Sequence, residues 1–314
     1  MMNSLSICAE LVLDLHNLNS EGTEGNQQQT RMVHIVDRDG KRHIVNAISG
    51  DMFKHIFVEH LTPALEEAKQ PLSSGARVLS PDRITIDPEF KQAIKGKKQG
   101  SAIQDEMLKR CAVTDIAGTL LTEGNAVARK SCVEFGWVVG VPHKTFSEQY
   151  FHVKFDPESR AKSAGQDEKG EGTVAGRQAI FHRPANSGVY ALVCHVELSR
   201  IGTNDITRTK AISDSDRMAR QRAGIRALLA TLIKPAGAQR NTQNPHILDC
   251  RGVISTSKSH LPAPTVSPLC DEYRQQMQQI TETLNKMAPN AVSATWFESL
   301  ASAVALLEQI AAEV

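Results

Sequence analysis

"MVHIVDRDGKRHIVNAISGDMFKH", residues 32–55, sets a hairpin and a helix start side by side. Two β-rich runs meet at Asp39-Gly40, a dipeptide suited to a tight hairpin turn. Ser49 then stands where a helix cap belongs. Phe53, Ile56, Phe57, His60 and Leu61 follow at the spacing of one buried helix face, and Pro63 is the predicted end of that helix. The same start has a second reading. The first amides of a helix are unpaired and carry partial positive charge, so Ser49, Gly50, Lys54 and His55 make a candidate phosphate cradle, with Gly50 admitting an oxygen close to the backbone. Asp51 fits an ordinary first-turn acid better than an anion site.

Upstream, Leu5, Ile7, Ala9, Leu11, Leu13 and Leu15 alternate at period two and predict a strand. Residues 16–31, "HNLNSEGTEGNQQQTR", have the content of a long polar loop. Its Asn19, Asn26, Gln27 and Arg31 suit the sugars and base edges of single-stranded RNA, or simply solvent. Downstream, residues 149–157 and 187–202 predict two more strands. In the second, Tyr190, Leu192, Cys194, Val196 and Leu198 share one face and Val189, Ala191 and Val193 the other, the pattern of a central strand. A helix follows over residues 215–232, with Met218, Ile225, Leu228, Leu229 and Leu232 inward and Arg217, Arg220 and Arg222 toward its start. Gln239, Arg240 and Asn241 lie in the next loop, residues 247–257 form a last strand, and residues 270–288 and 293–313 read as two C-terminal helices.

The order strand, helix, strand, strand, helix, strand is that of an α+β ferredoxin-like or RNA-recognition-motif (RRM) fold. Residues 1–63 and 149–260 supply this skeleton and residues 261–314 the terminal helices. Residues 64–148, with a helical stretch near 102–121, are too long for a plain connection and form an insertion. Residues 157–186 form a polar, glycine-rich excursion between the two middle strands.

Composition narrows the function. The chain has 314 residues, 40% of them hydrophobic, enough for a sizeable core. No apolar run approaches the ~18 residues of a membrane span, and the alternating start is unlike a signal peptide, so a cytoplasmic protein is expected. Six scattered cysteines without a CxxC pair suit buried thiols, not a disulfide framework or zinc site. The phosphate-loop, dinucleotide, nucleophile-elbow and zinc-protease motifs are absent, and "DRDGK" makes a hairpin turn more readily than a calcium loop. No catalytic group, metal or cofactor is therefore expected. Net charge is +1, yet residues 205–240 hold eight Lys/Arg against three Asp and residues 271–314 two basic against six acidic residues. Solvated faces, RNA binding or head-to-tail contact between copies would each account for this.

At "LHNLNSEGTEGNQQQTRMVHIVDRDGKRHIVNAISGDMFKHIFVEHL", residues 15–61, the chain resembles the backbone subunits of type I CRISPR Cascade complexes, the Cas seven group, in its DevR branch associated with subtype I-B. The resemblance continues at "CAVTDIAGTLL", "RKSCVEFGWVVGVP", "FHVKFDP", "FHRPANSGVYALVCHVEL" and "ALLATLIKPAGAQRN" and runs to about residue 260. It implies an RRM-like palm, a helical finger insertion (64–148) and a β-hairpin thumb (about 157–186) with Phe181, His182 and Pro184 as candidate wedges. It also implies copies stacked head-to-tail on a CRISPR guide RNA, beside other Cascade subunits, presenting the guide to a target DNA strand. The guide backbone would rest on Asn19, Arg31, Ser49, Lys54, His55, Gln239 and Arg240, with Arg217 and Asn241 as further candidates. Grip on phosphate and sugar suits a protein that must hold many guide sequences.

Related type III subunits cut RNA with an Asp in the loop after the first strand. Between Asn17 and Arg31 this chain has only Glu21 and Glu24, so no nuclease activity is expected. Two other readings stand beside this one. A duplex-DNA regulator would need the arginine-rich 215–232 helix in a groove. A guide-processing ribonuclease would draw on His16, Lys54 and His55.

Overall fold

The computed structural model describes residues 2–124, 126–154, 179–237 and 241–314. Strand β1 (Ser4–His16) lies at the centre of a mainly antiparallel sheet. Leu5, Ile7, Ala9, Leu11 and Leu13 are buried on its helix-facing side, as their alternation predicts. Leu15 leaves the pattern: its φ of 54° turns it out of the strand and it is 47% exposed.

Residues 16–31 are not a plain loop. Ser20–Glu24 (β2) and Gln27–Thr30 (β3) pair as a hairpin that turns at Gly25-Asn26. Both strands are polar and largely exposed, so no hydrophobic alternation announces them. The predicted hairpin follows as β4 (Met32–Val36) and β5 (Arg42–Ile48), and Ser49 caps α1 (Gly50–Glu67) by accepting from the Met52 amide at 3.2 Å. The helix passes through Pro63 and stops at Glu67. Burial of Leu61 and Leu65 on either side of the proline outweighs the one missing N–H donor. His60 lies at the margin of the buried face, and its ring bonds the Lys234 carbonyl at 2.9 Å.

The segment between Glu67 and Val133 lies outside the main sheet. It holds the helices α2 (Ser74–Arg77), α3 (Pro88–Ile94), α4 (Gly100–Arg110) and α5 (Ala112–Ala117) and the small pair β6 (Thr119–Leu121) and β7 (Val127–Arg129). Strands β8 (Val133–Phe135) and β9 (Val138–Lys154) already belong to the main sheet. Strand β10 (Ala179–Val196), helix α6 (Asp214–Ile233) and strand β11 (His246–Ser257) complete the skeleton. Residues 261–314 are not only helical. Between α7 (Tyr273–Met287) and α8 (Leu300–Glu313), Val292–Phe297 form an edge strand, β12, paired with β11.

The main path of the sheet runs β12-β11-β1-β10-β9-β5-β4. Within it, β11-β1-β10-β9 are antiparallel neighbours in the order of a ferredoxin-like fold, with α1 and α6 as the two crossover helices. Helices α1, α6 and α8 bury one face of the sheet. The other face is covered over β1, β11 and β12 by α7 and by the segment 258–272. Ser4, Ser6 and Ser255 fasten that segment through the Ala263 amide, the Ala263 carbonyl and the Pro264 carbonyl, at 3.1, 3.3 and 2.6 Å. Cys8, Val253, Tyr273 and Met277 form a second small core beneath it.

Helix α6 carries an unexpected load. Met218 is 37% exposed, while Arg217 and Arg220 are buried at 4% and 1%. Arg220 Nη1 and Arg129 Nη2 both donate to Asp115, at 2.9 and 2.7 Å, and the Gly202 amide donates to the same carboxylate at 2.9 Å. Asp115 is fully buried, so its removal leaves the buried Arg220 guanidinium without its carboxylate and Arg129 with Asp205 alone, at 2.9 Å. Asp115→Ala is expected to lower unfolding free energy by about 3–5 kcal/mol, read as a shift of the urea midpoint. A shift no larger than that of a surface substitution would contradict this.

Candidate nucleic-acid interface

The polar segments singled out from sequence meet at one end of the sheet. As β1 ends, Asn186 of β10 donates to the His16 carbonyl at 3.0 Å and to Thr30 Oγ1 at 3.1 Å. Asn19 Oδ1 accepts from the Ser49 amide at 2.8 Å, joining the segment after β1 to the start of α1. Gly237, beyond α6, packs against the Leu18 backbone. Gln243 donates to the Pro184 carbonyl at 2.7 Å, and Arg183 donates to Thr242 Oγ1 at 2.9 Å. The ends of β1 and α6, the start of α1 and the base of the β9–β10 arm are thereby tied into one surface.

The predicted residues take distinct places on it. Asn19 is buried and acts as a brace, and Ser49 spends its hydroxyl on the Met52 amide. Asn26 and Gln27 are exposed on the β2–β3 hairpin, where the Asn26 carbonyl accepts from the His182 amide at 2.9 Å. Arg31 is half-buried, pairs with Glu21 and lies 5.5 Å from the centre of the Trp137 ring. His55 is exposed and bridges to Glu59 at 3.1 Å. Lys54 and Gly50 line a cleft of about 270 Å³ with Ser49, Asp51, Glu134 and Trp137. Burial holds the Lys54 ammonium below its usual range, and the nearby Arg83 charge pushes the same way. No carboxylate among the described residues pairs with Lys54 at ion-pair distance. Asn241 is exposed, and Gln239 and Arg240 lie outside the described residues.

Three expectations change. Gly50 is needed by the protein, because a Cβ there would collide with the Phe135 carbonyl of β8. Arg217 is withdrawn from the surface, donating to the Ile201 and Ser199 carbonyls at 2.9 and 3.0 Å. Pro184 is buried at the base of the arm, not at its tip. Phe181 stacks on His152 at 5.5 Å and His182 meets Phe151 edge-on at 5.7 Å, both on the arm. Most of the predicted thumb, residues 157–178, lies outside the described residues. The arm leaves the sheet at Gly188, whose φ of 141° and contact with the Lys144 carbonyl exclude a side chain. Sequence reasoning passed over Trp137, although an indole flanked by glycine in "EFGWVVG" was the available signal.

His16 is fully buried, and burial pushes its imidazole down to about 3, so it is neutral near pH 7. It stands edge-on to Tyr190 at 5.0 Å. His16 Nε2, Asn17 Oδ1 and Gln243 Oε1 are buried polar atoms without a hydrogen-bond partner among the described residues. Such atoms are rare in folded proteins, and three at one end of a sheet suit a polar ligand. Among the described residues, no group of three or more His, Cys, Asp or Glu side chains is placed to hold a metal, and no helix is long and apolar enough to cross a membrane.

A family model described as "CRISPR-associated negative auto-regulator DevR/Csa2" matches residues 7–278. The chain belongs to this family. No curated protein matches it. Among solved structures, a chain of a "CRISPR RNA-guided surveillance complex, pre-nicking" is 13% identical with a TM-score of 0.56, and a chain of a "CRISPR RNA-guided surveillance complex" is 16% identical with a TM-score of 0.51. Each likeness covers 99% of both chains and shows a shared α+β fold. The DevR/Csa2 match thus bears out the resemblance read from residues 15–61.

Two outcomes test this geometry. Unfolded His16 titrates near pH 6.5, so the folded state resists a proton that the unfolded state accepts. The associated stability is complete above about pH 6.5 and is lost as pH falls toward about 3, at ~1.4 kcal/mol per pH unit inside that window. Urea midpoints from pH 7 to pH 5 should therefore fall more steeply for the native chain than for His16→Gln, and parallel slopes would refute the burial argument. Gly50→Ala, a favourable exchange inside most helices, should instead destabilise this protein, which thermal unfolding reads directly.

Proposed function

We propose that this DevR/Csa2 chain is a non-catalytic backbone subunit of a type I CRISPR surveillance complex. It grips guide RNA along the end of its sheet, stacks head-to-tail with further copies beside other Cascade subunits, and leaves guide bases free to pair with target DNA. Its setting is antiviral defence or RNA-guided transposition. The observation that carries this reading is the convergence of the segment after β1, the start of α1 and the segment after α6 on one surface. An ordinary RRM binds RNA on its open sheet face, but here α7 and the 258–272 segment cover that face over β1, β11 and β12. The sheet end holds the partly buried Lys54 and the orphaned polar atoms. A filament follows from heterologous contacts that do not close, which lets a small subunit cover a long RNA.

The family description names an auto-regulator, which would bind one duplex site. No observation favours that reading, since Arg217 and Arg220 of α6 are buried and Arg226 is paired with Glu308.

Expression with a matching CRISPR array should yield a large particle containing RNA of guide length, protected in regular segments. Lys54→Ala should weaken guide binding equally for unrelated sequences. It should also reduce the steepness of log K against log salt by about 0.7, one phosphate contact on a single strand. A clean monomer without RNA that shifts a single duplex DNA site would overturn the proposal. So would magnesium-dependent cleavage of target RNA that Glu24→Ala abolishes.

A further inference from the structure

Trp137 is exposed although it joins two strands of the sheet. It leads from β8 into β9, is 45% exposed, and stands beside Ser49, Lys54 and Glu134 in the cleft at the start of α1. Arg31, fixed by its ion pair with Glu21, places its guanidinium 5.5 Å from the ring centre. An indole beside a cation, with nearly half its surface still free, is a surface on which a flat ring can stack.

The charges in the cleft select the ligand. Lys54 offers one positive charge, whereas Asp51 and Glu134 line the same cleft with two carboxylates. A polyphosphate would meet one cation and two anions. A nucleotide in a strand brings a single phosphodiester charge, and its sugar hydroxyl and base N–H groups are donors that carboxylates accept. A volume of about 270 Å³ falls just under the ~300–1,000 Å³ of small-molecule pockets, enough for one base and its sugar.

We propose that Trp137 is a base-stacking residue, holding one unpaired nucleotide of the bound strand with its base on the indole, its phosphate on Lys54 and its polar edge toward Asp51 and Glu134. This rests on the guide-RNA reading and adds to it a nucleotide subsite. Every base has a π-face, so stacking tolerates any guide sequence.

The chain has two tryptophans, so in a Trp296→Phe background the emission comes from Trp137 alone. The full chain is titrated with guide-length single-stranded RNA and with an abasic oligonucleotide of equal length. RNA should quench the emission strongly and the abasic strand weakly. Trp137→Leu should weaken RNA binding roughly 5- to 150-fold, the equivalent of ~1–3 kcal/mol for one stacked base, without changing the salt slope. Trp137→Phe should recover most of that loss, which separates stacking from damage to the fold. Equal quenching by both strands, or Trp137→Leu binding RNA like the native chain while Lys54→Ala binds poorly, would overturn the stacking subsite and leave the guide reading intact. Failure of the native chain to bind RNA at all would overturn both.

Discussion

Asp115 is the anion on which the architecture turns. It sits in the insertion and is fully buried, yet it takes hydrogen bonds from Arg129 of the same insertion, Arg220 of a core helix and the Gly202 amide beyond β10. Arg129 also meets the Asp205 carboxylate at 2.9 Å and donates to the Asp115, Thr203 and Arg200 carbonyls, at 3.0, 2.9 and 2.9 Å. Arg220 also donates to the Leu108 carbonyl and Gln70, at 2.7 and 2.8 Å. Buried charges are tolerated only when so fully paired. The network therefore ties the insertion to helix α6 and to the segment after β10.

The proposed interface fits that fixed frame. A ferredoxin-like sheet has one face for its helices and one free, and in this chain a serine-fastened segment and α7 occupy much of the second. Exposed polar groups, among them Asn26, Gln27 and His55, gather at the sheet end, where loops cross between layers. Recognition there would keep the scaffold rigid while the proposed contacting residues sit on short, braced segments. Asn19 illustrates the bracing, since its buried side chain accepts from the Ser49 amide and ties the segment after β1 to the start of α1.

Much of the skeleton could be read in the sequence because its signals are local. The period-two run in β1, the Asp39-Gly40 turn, the Ser49 cap and the alternation of β10 each depend on residues within one element. What escaped depends on partners far along the chain. Arg217 looks like a surface cation until the Ser199 and Ile201 carbonyls close over it. Gly50 looks like a phosphate-admitting glycine until β8 passes against it. Pro63 should end a helix, but tertiary burial carries the helix on, and β12 is a short edge strand within a stretch that reads as helix. Of the candidate site, Lys54 and the α1 start can be named from one local motif, whereas the placing of Trp137 depends on Arg31 and Lys54 arriving from other segments.

The central claim is that guide RNA lies along the sheet end and not across the sheet face. Ultraviolet cross-linking of the RNA-loaded particle, followed by mass spectrometry of the cross-linked peptides, addresses it most directly. Cross-links are expected in residues 17–31, 49–55, around Trp137 and in 234–245. Cross-links concentrated in the 258–272 segment and α7, with none at the sheet end, would contradict it.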